Sequence, residues 1–152
     1  MKLNAHRLLC LNMFTTLSPK DILRMLPLAG ILNPETEPIV LEARLHELFD
    51  YQNYRCFGWE EDGKLVAMCG AWTLTKLYSG KQLEIDNFAV ADDWQSKGIG
   101  AKLMKELEAK CEGEGFHSIE LNAYVNNSAG HKFYFRSGYS IVGFHFIKKL
   151  NL

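Results

Sequence analysis

The sequence predicts an α/β fold with one mixed sheet, on three observations. Strand-like and helix-like segments alternate along the chain. Two apolar strand segments are joined directly by Glu61-Asp62-Gly63-Lys64, and Asp-Gly is a strong hairpin signal. The clearest helical period, at Ile99, Leu103, Leu107 and Cys111, lies between two further strand segments, as a crossover helix does. The order is β-α-α-β-β-β-α-β-α-β. Only some of these connections are helical, so the sheet is expected to be mixed rather than all-parallel. At 152 residues, 47% of them apolar, the chain fits a single domain over 1–152 with one continuous core.

Residues 8–14 read as the first strand. Ser18-Pro19 marks a helix start, a hydroxyl cap followed by proline in the first turn. That helix continues through Ile22, Leu23 and Leu26. A loop is expected over 30–38, then a helix over 39–49 with Leu41, Leu45, Leu48 and Phe49 at helical spacing. Strands over 54–60 and 65–74 form the hairpin, and another follows Ser79-Gly80 over 83–90. The 99–111 helix buries its apolar stripe and exposes Lys102, Glu106 and Lys110, with Gly113 and Gly115 ending it. Ile119, Leu121, Ala123 and Val125 alternate with polar or amphipathic residues, the pattern of a half-buried strand. Asn127-Ser128 can cap a short helix that ends at Gly138. The β-rich stretch 139–149 is expected to supply one or two closing strands.

Bulk properties set aside several classes. A formal charge of -1 gives no general pull toward nucleic acid or anionic membrane, so neither is expected as a partner. No stretch is long and apolar enough to span a membrane. Lys2 and Arg7 before Leu8-Leu9-Cys10-Leu11 faintly suggest a signal peptide, but Asn12 interrupts the run and no small-x-small cleavage site follows. Cys10, Cys56, Cys69 and Cys111 form no CxxC pair, and no His/Cys cluster has metal-ligand spacing. They read as reduced core residues of a cytoplasmic protein without a metal.

The segment that carries chemistry is Val90-Ala91-Asp92-Asp93-Trp94-Gln95-Ser96-Lys97-Gly98-Ile99-Gly100-Ala101. A strand ends, a polar turn follows, and a glycine-containing loop opens the best helix in the chain. Backbone N–H groups at a helix start are unpaired, and the helix dipole adds positive potential. Glycine lets another group approach that backbone closely. The result suits a pyrophosphate, and Lys97 adds a charge. Gly-x-Gly alone fits equally well a helix start with no ligand. There is no Gly-Lys-Ser/Thr ending for a P-loop, and no Gly-x-Gly-x-x-Gly with its later acidic residue for a Rossmann site.

A second block adds to this. Gln95-Ser96-Lys97-Gly98-Ile99-Gly100 resembles the Gln/Arg-x-x-Gly-x-Gly/Ala signature of the GNAT acetyltransferases. Asn127, Phe133-Tyr134 and Gly138-Tyr139 stand at the spacing of that family's Asn…Leu-Tyr…Gly-Phe segment. The likeness covers roughly 54–147. Gly130 stands where alanine is usual, Asp92 where proline is common, and Tyr139 where phenylalanine is usual. The resemblance implies the GNAT acyl-CoA N-acyltransferase fold, with six to seven strands and about four helices. It further implies acetyl-CoA as co-substrate and a primary amine as acceptor.

By the same resemblance, coenzyme A lies where two neighbouring parallel strands, here 83–90 and 119–125, splay apart. The pyrophosphate would sit on Gln95, Ser96, Lys97, Gly98, Ile99, Gly100 and Ala101. The pantetheine arm would pair with backbone around Phe88 and Val90. One N–H, at Phe88 or Ala89, would polarise the thioester carbonyl as an oxyanion hole does; in other enzymes losing such a donor costs about 3 kcal/mol. A lysine-like amine, with a pKa of about 10.4, must first lose a proton. Glu84 precedes Gln95 at the spacing of the family's glutamate base. Asp86, two residues on, is expected on the same face. The alternative is that both are solvated strand residues or serve only to attract a cation. Tyr134 matches the tyrosine that assists the departing thiolate; otherwise it is a packed helix residue. Asn127 would bond the pantetheine arm, cap its helix, or both. Proximity supplies much of the acceleration, and no covalent intermediate is needed. Cys111 lies on a buried stripe and Cys56 and Cys69 lie in strands, which argues against an acyl-cysteine. His117 and His131 are isolated and suit surface or capping roles.

Glu35, Glu37, Glu42, Glu47, Asp50, Glu60, Glu61 and Asp62 gather in or beside the helices expected to flank the acceptor mouth. They either draw a small cationic amine or form an ordinary solvated face. Tyr51, Tyr54, Trp59, Trp72 and Tyr78 either wall an amine pocket or belong to the core. The leading reading is an N-acetyltransferase on a small amine, acting through a ternary complex. The second is a non-catalytic acetyl-CoA-binding sensor or interaction module. A homodimer is left open by analogy.

Overall fold

The computed structural model describes residues 13–150. The chain divides into two compact units, one running to Glu120 and the other beginning at Leu121. In the first lie β1 (Met13–Leu17), α1 (Ile22–Leu32), α2 (Pro38–Asp50), β2 (Tyr54–Glu61), β3 (Lys64–Lys76), β4 (Gly80–Val90) and α3 (Ile99–Gly113). Strand β5 (Ser118–Leu121) runs to the boundary, and α4 (Ser128–Arg136) belongs to the second unit. The sheet order is β1-β2-β3-β4-β5. The first four strands pair antiparallel, and α3 provides the crossover that a parallel neighbour of β4 requires.

Local chemistry explains the boundaries. Asp62 (φ 52) and Gly63 (φ 77) are both left-handed, the geometry of a two-residue hairpin turn matched to strand twist. Ser18 donates to Asp21 Oδ2 from both its N–H and its Oγ, at 3.0 Å each, and so fixes the turn that leads into α1. The helix continues through Gly30 to Leu32, so the following loop is shorter than expected. It restarts at Pro38, whose missing N–H is harmless in a first turn. Strand β1 overlaps the expected first strand at Met13 and Phe14; residues 8–12, with Cys10, lie outside the described residues.

The sheet buries both faces. Met25, Leu28, Leu41 and Leu45 of α1 and α2 pack on Tyr54, Cys56, Met68 and Ala89. Along β3 and β4 the alternate set, Ala67, Cys69, Ala71, Leu83 and Ile85, is buried on the other side. There α3 brings the expected stripe of Ile99, Leu103, Leu107 and Cys111, joined by Met104. Two polar ties hold α3 in register. Buried Glu61 accepts from Trp59 Nε1 at 2.9 Å and from Lys102 Nζ at 3.4 Å. Arg55 grips Glu114 with both guanidinium nitrogens, at 2.6 and 3.0 Å.

The second unit departs from expectation. Strand β5 stops at Leu121 rather than 125, and no strand is assigned among the described residues beyond it. Among the described residues the sheet therefore has five strands, where six to seven were expected. Strand propensity measures fit to a pleated, half-buried surface. Over 139–150 the strand-like composition is not accompanied by any assigned strand. No helix among the described residues is long and apolar enough to cross a membrane.

The Arg55 guanidinium, against the cost of burial and helped by Lys110, holds the Glu114 carboxyl down at about 2. Its contribution to stability is therefore complete above the ordinary value of 4.5 and is lost as pH falls from there toward 2. Thermal melts should show Glu114→Gln less stable than wild type at neutral pH. The variant should also fall less steeply across that acid window; a parallel pair of curves would contradict the ion-pair account.

Candidate coenzyme and acceptor site

The loop between β4 and α3 is braced from within. Gln95 Nε2 donates to Val90 O at 3.1 Å and to Asp92 Oδ1 at 3.0 Å. Its own N–H donates to Asp92 O at 3.2 Å. The side chain of Gln95, though exposed, thus braces the turn. Beyond it the pattern changes. Among the described residues no protein acceptor meets the amides of Ser96, Lys97, Gly98, Ile99, Gly100 or Ala101, and the first bond of α3 runs from Lys102 N–H to Gly98 O at 3.0 Å. Gly98 stands at the cap position and has no side chain to satisfy them. Ser96 (φ 58) and Gly98 (φ 79) are both left-handed, the conformation that turns successive N–H groups toward one concavity. A Cβ added at Gly98 would meet nothing within 4 Å, so the outer side of the loop is open. Lys97 Nζ lies 5.2 Å from the Trp94 ring centre, which keeps a positive charge beside the loop. These groups fit a pyrophosphate.

Strand β4 presents the next parts. Ala91 N–H donates to Val66 O at 2.8 Å. In an antiparallel ladder alternate residues face the same neighbour, so Ala89 and Asn87 also face β3, whereas Phe88 and Val90 face the β5 side. Of the two amides expected to polarise the thioester, the register turns Phe88 toward that side and gives Ala89 to the β3 ladder. His117 N–H donates to Lys81 O at 2.8 Å and sets where β5 begins. Strand β4 runs for 11 residues and β5 for only 4.

A β-bulge then changes the acidic residues' placement. Gly70 pairs with Asn87 but Ala71 pairs with Ile85, leaving Asp86 as the extra residue. The simple two-residue period that put Glu84 and Asp86 on one face is broken there. Glu84 lies opposite Trp72, and Asn87 opposite Gly70, on the face covered by α1 and α2. Asp86 Oδ2 accepts from Asn87 Nδ2 at 2.8 Å. Glu84 Oε2 lies 3.7 Å from Lys76 Nζ.

On that face is a cavity of about 390 Å³, bounded by α1, α2 and β2 to β4. Tyr51, Tyr54 and Trp72, three of the five aromatics singled out from the sequence, line it. Trp59 is instead tied to Glu61, and Tyr78 is exposed. Burial first, then the nearby Cys56 and Asp86, pushes the Tyr54 hydroxyl well above its ordinary value. Only a glycine at position 70 leaves room for it: a Cβ there would stand 2.2 Å from the Tyr54 hydroxyl oxygen. The acidic cluster disperses. Glu60 pairs with Arg24, Glu61 is buried, and Glu47 alone of the eight lines the cavity. Asn33, Arg44 and Asn87 also line it, and sequence reasoning missed all three. The one signal was an asparagine near the end of an apolar strand.

In the second unit, Asn127 Oδ1 accepts from Gly130 N–H at 2.9 Å, so the residue caps α4. A Cβ at position 130 would come within 2.5 Å of Asn127 Nδ2, which accounts for glycine there. Tyr134 is half-buried on α4, edge-on to Phe133 at 5.3 Å and to Tyr139 at 6.0 Å. Burial pushes the Cys56 thiol up to about 12 and Cys69 well above its ordinary value, the protonated and poorly nucleophilic state. His117 Nδ1 lies 3.2 Å from Ser79 O at a turn.

The amides at the start of α3, with Lys97 beside them, suit the anionic end of a nucleotide-bearing ligand. The sequence profile of the acetyltransferase (GNAT) family matches residues 25–139, and the chain belongs to that family. It is thus an acetyl-CoA-dependent acyltransferase, with acetyl-CoA as co-substrate. It is 24% identical over 123 residues to YhdJ, an uncharacterized N-acetyltransferase of Bacillus subtilis (strain 168), covering 80% of this chain and 87% of that one. In fold it is similar to a ribosomal-protein-alanine N-acetyltransferase from Brucella melitensis biovar Abortus 2308, with a TM-score of 0.78, 20% identity, and 92% and 100% of the two chains covered. It is similar also to the aminoglycoside N-acetyltransferase AAC(6')-Iy in complex with CoA, with a TM-score of 0.80, 11% identity, and 94% and 97% covered.

Gly98→Val forces a branched residue into the left-handed region, at a cost of about 1–2 kcal/mol. It should weaken coenzyme A binding about tenfold by calorimetry, equivalent to about 1.4 kcal/mol. An affinity equal to wild type would remove the loop from the site.

Proposed function

We propose that the chain moves the acetyl group of acetyl-CoA directly to the primary amine of a small cationic acceptor, in a ternary complex within one transferase domain over 1–152. The observation that carries this reading is the run of amides over 96–101 that meets no protein acceptor among the described residues. Bound there, acetyl-CoA supplies an acyl group activated as a thioester. The backbone of Phe88 and Val90 guides the pantetheine arm, with Asn127 as a further contact. The Phe88 N–H donates to the carbonyl oxygen as negative charge develops on it. Glu84 takes the proton of the acceptor ammonium, directly or through water, and Asp86 is the second choice. The amine nitrogen then bonds to the carbonyl carbon, the C–S bond breaks, and Tyr134 gives the departing sulfur a hydrogen bond or a proton, while the second proton that the nitrogen sheds goes to solvent or restores the Tyr134 hydroxyl. Two features support direct transfer: the raised thiols of Cys56 and Cys69, and a cavity on the Glu84 face of β4 where an amine can wait. Free Cys56, Cys69 and Cys111 are consistent with a reducing, cytoplasmic setting.

Thiol release from acetyl-CoA, followed over a panel of amines, tests the roles. Glu84→Gln and Tyr134→Phe should each lower kcat by about 10²–10³ while coenzyme A affinity is kept. The Glu84 variant should recover rate as pH rises and the free amine becomes abundant. Rates equal to wild type in both variants would remove these assignments.

A further inference from the structure

Given the transferase reading above, the cavity beside β4 narrows the acceptor. At about 390 Å³ it lies toward the small end of ligand pockets. Its sheet side is aromatic: Trp72 meets Tyr51 edge-on at 5.4 Å and Tyr54 at 5.0 Å, next to Met68. Its helix side is aliphatic, from Leu41, Leu45 and Leu48. Polar groups are sparse. Arg44 and Glu47 are exposed on α2, and Asn33 and Asn87 are half-buried.

Such walls discriminate. A sugar-like polyamine would lay hydroxyls and ammonium groups against leucine and tryptophan, where few can be paired. A linear polyamine would place a second ammonium among the same side chains, where Arg44 offsets the one lining carboxylate, Glu47. A flat apolar ring meets no such cost. It can stack or pack edge-on against Trp72, with Met68 sulfur beside it. From there a short chain leads toward Asn87, next to Phe88 on β4, on the face that also carries Glu84.

We infer that the acceptor is an arylalkylamine: one primary amine on a short chain that ends in a single flat apolar ring system. The ring occupies the cavity, and Tyr51 and Trp72 set specificity.

The experiment compares 2-phenylethylamine and tryptamine with spermidine and an aminoglycoside, kanamycin, in the thiol-release assay. Wild type is run beside Trp72→Ala and Tyr51→Ala; Tyr51 is exposed, so its variant keeps the core intact. The expected result is a kcat/KM for the ring-bearing amines at least about tenfold above the other two. Both variants should raise KM for those amines about tenfold and leave KM for acetyl-CoA unchanged. Preference for spermidine or kanamycin, or an unmoved KM in Tyr51→Ala, would overturn this acceptor assignment and leave the transferase standing. Coenzyme binding with no thiol release for any amine would overturn the transferase reading itself.

Discussion

Every helix begins with amide groups that its own hydrogen bonds cannot reach. At the start of α3 these groups are left open by design of the sequence around them. Gly98 has no side chain to cap with, and the nearest carboxamide, Gln95, donates inward to Val90 O and Asp92 instead of accepting. The left-handed residues at positions 96 and 98 hold the loop in that shape. Open, oriented donors at the positive end of a helix dipole are stabilised when an anion accepts from them. The rest of the first unit keeps this arrangement in place: α3 is tied to the sheet by its buried stripe, by Glu61 and by the Arg55–Glu114 pair.

Strand β4 connects that cradle to the chemistry. Its register turns the backbone of Phe88 away from β3, and its α1/α2 face opens on the cavity. The bulge at Asp86 lets one strand do both, because it restarts the alternation and brings Asn87 to the face that Glu84 occupies before the bulge. A regular strand would present either of these residues there, not both. Gly70 on β3 makes the same face deep enough by admitting the Tyr54 hydroxyl.

Features set by local signals were legible in the sequence. The Asp62-Gly63 turn, the stripe of α3 and the Ser18 start are each decided within a few residues, and the paired motif blocks pointed to the family. Features decided across the sheet were not legible. Alternation could not reveal the bulge, which brings Asn87 to the face that Glu84 occupies. Trp59 and Trp72 look alike in sequence, yet opposite strand faces send one to Glu61 and the other to the cavity. Gln95 belongs to the motif, but its bracing role depends on where Val90 O lies. The 139–149 stretch has the composition of a strand but is assigned none, and propensity alone does not make a ladder.

Amide hydrogen exchange, measured residue by residue with and without coenzyme A, tests the central claim most directly. Saturation with coenzyme A should slow exchange at Ser96 through the first turn of α3 more than anywhere else in the first unit. If the coenzyme is bound and those amides exchange as fast as before, the cradle does not hold its diphosphate and the account fails.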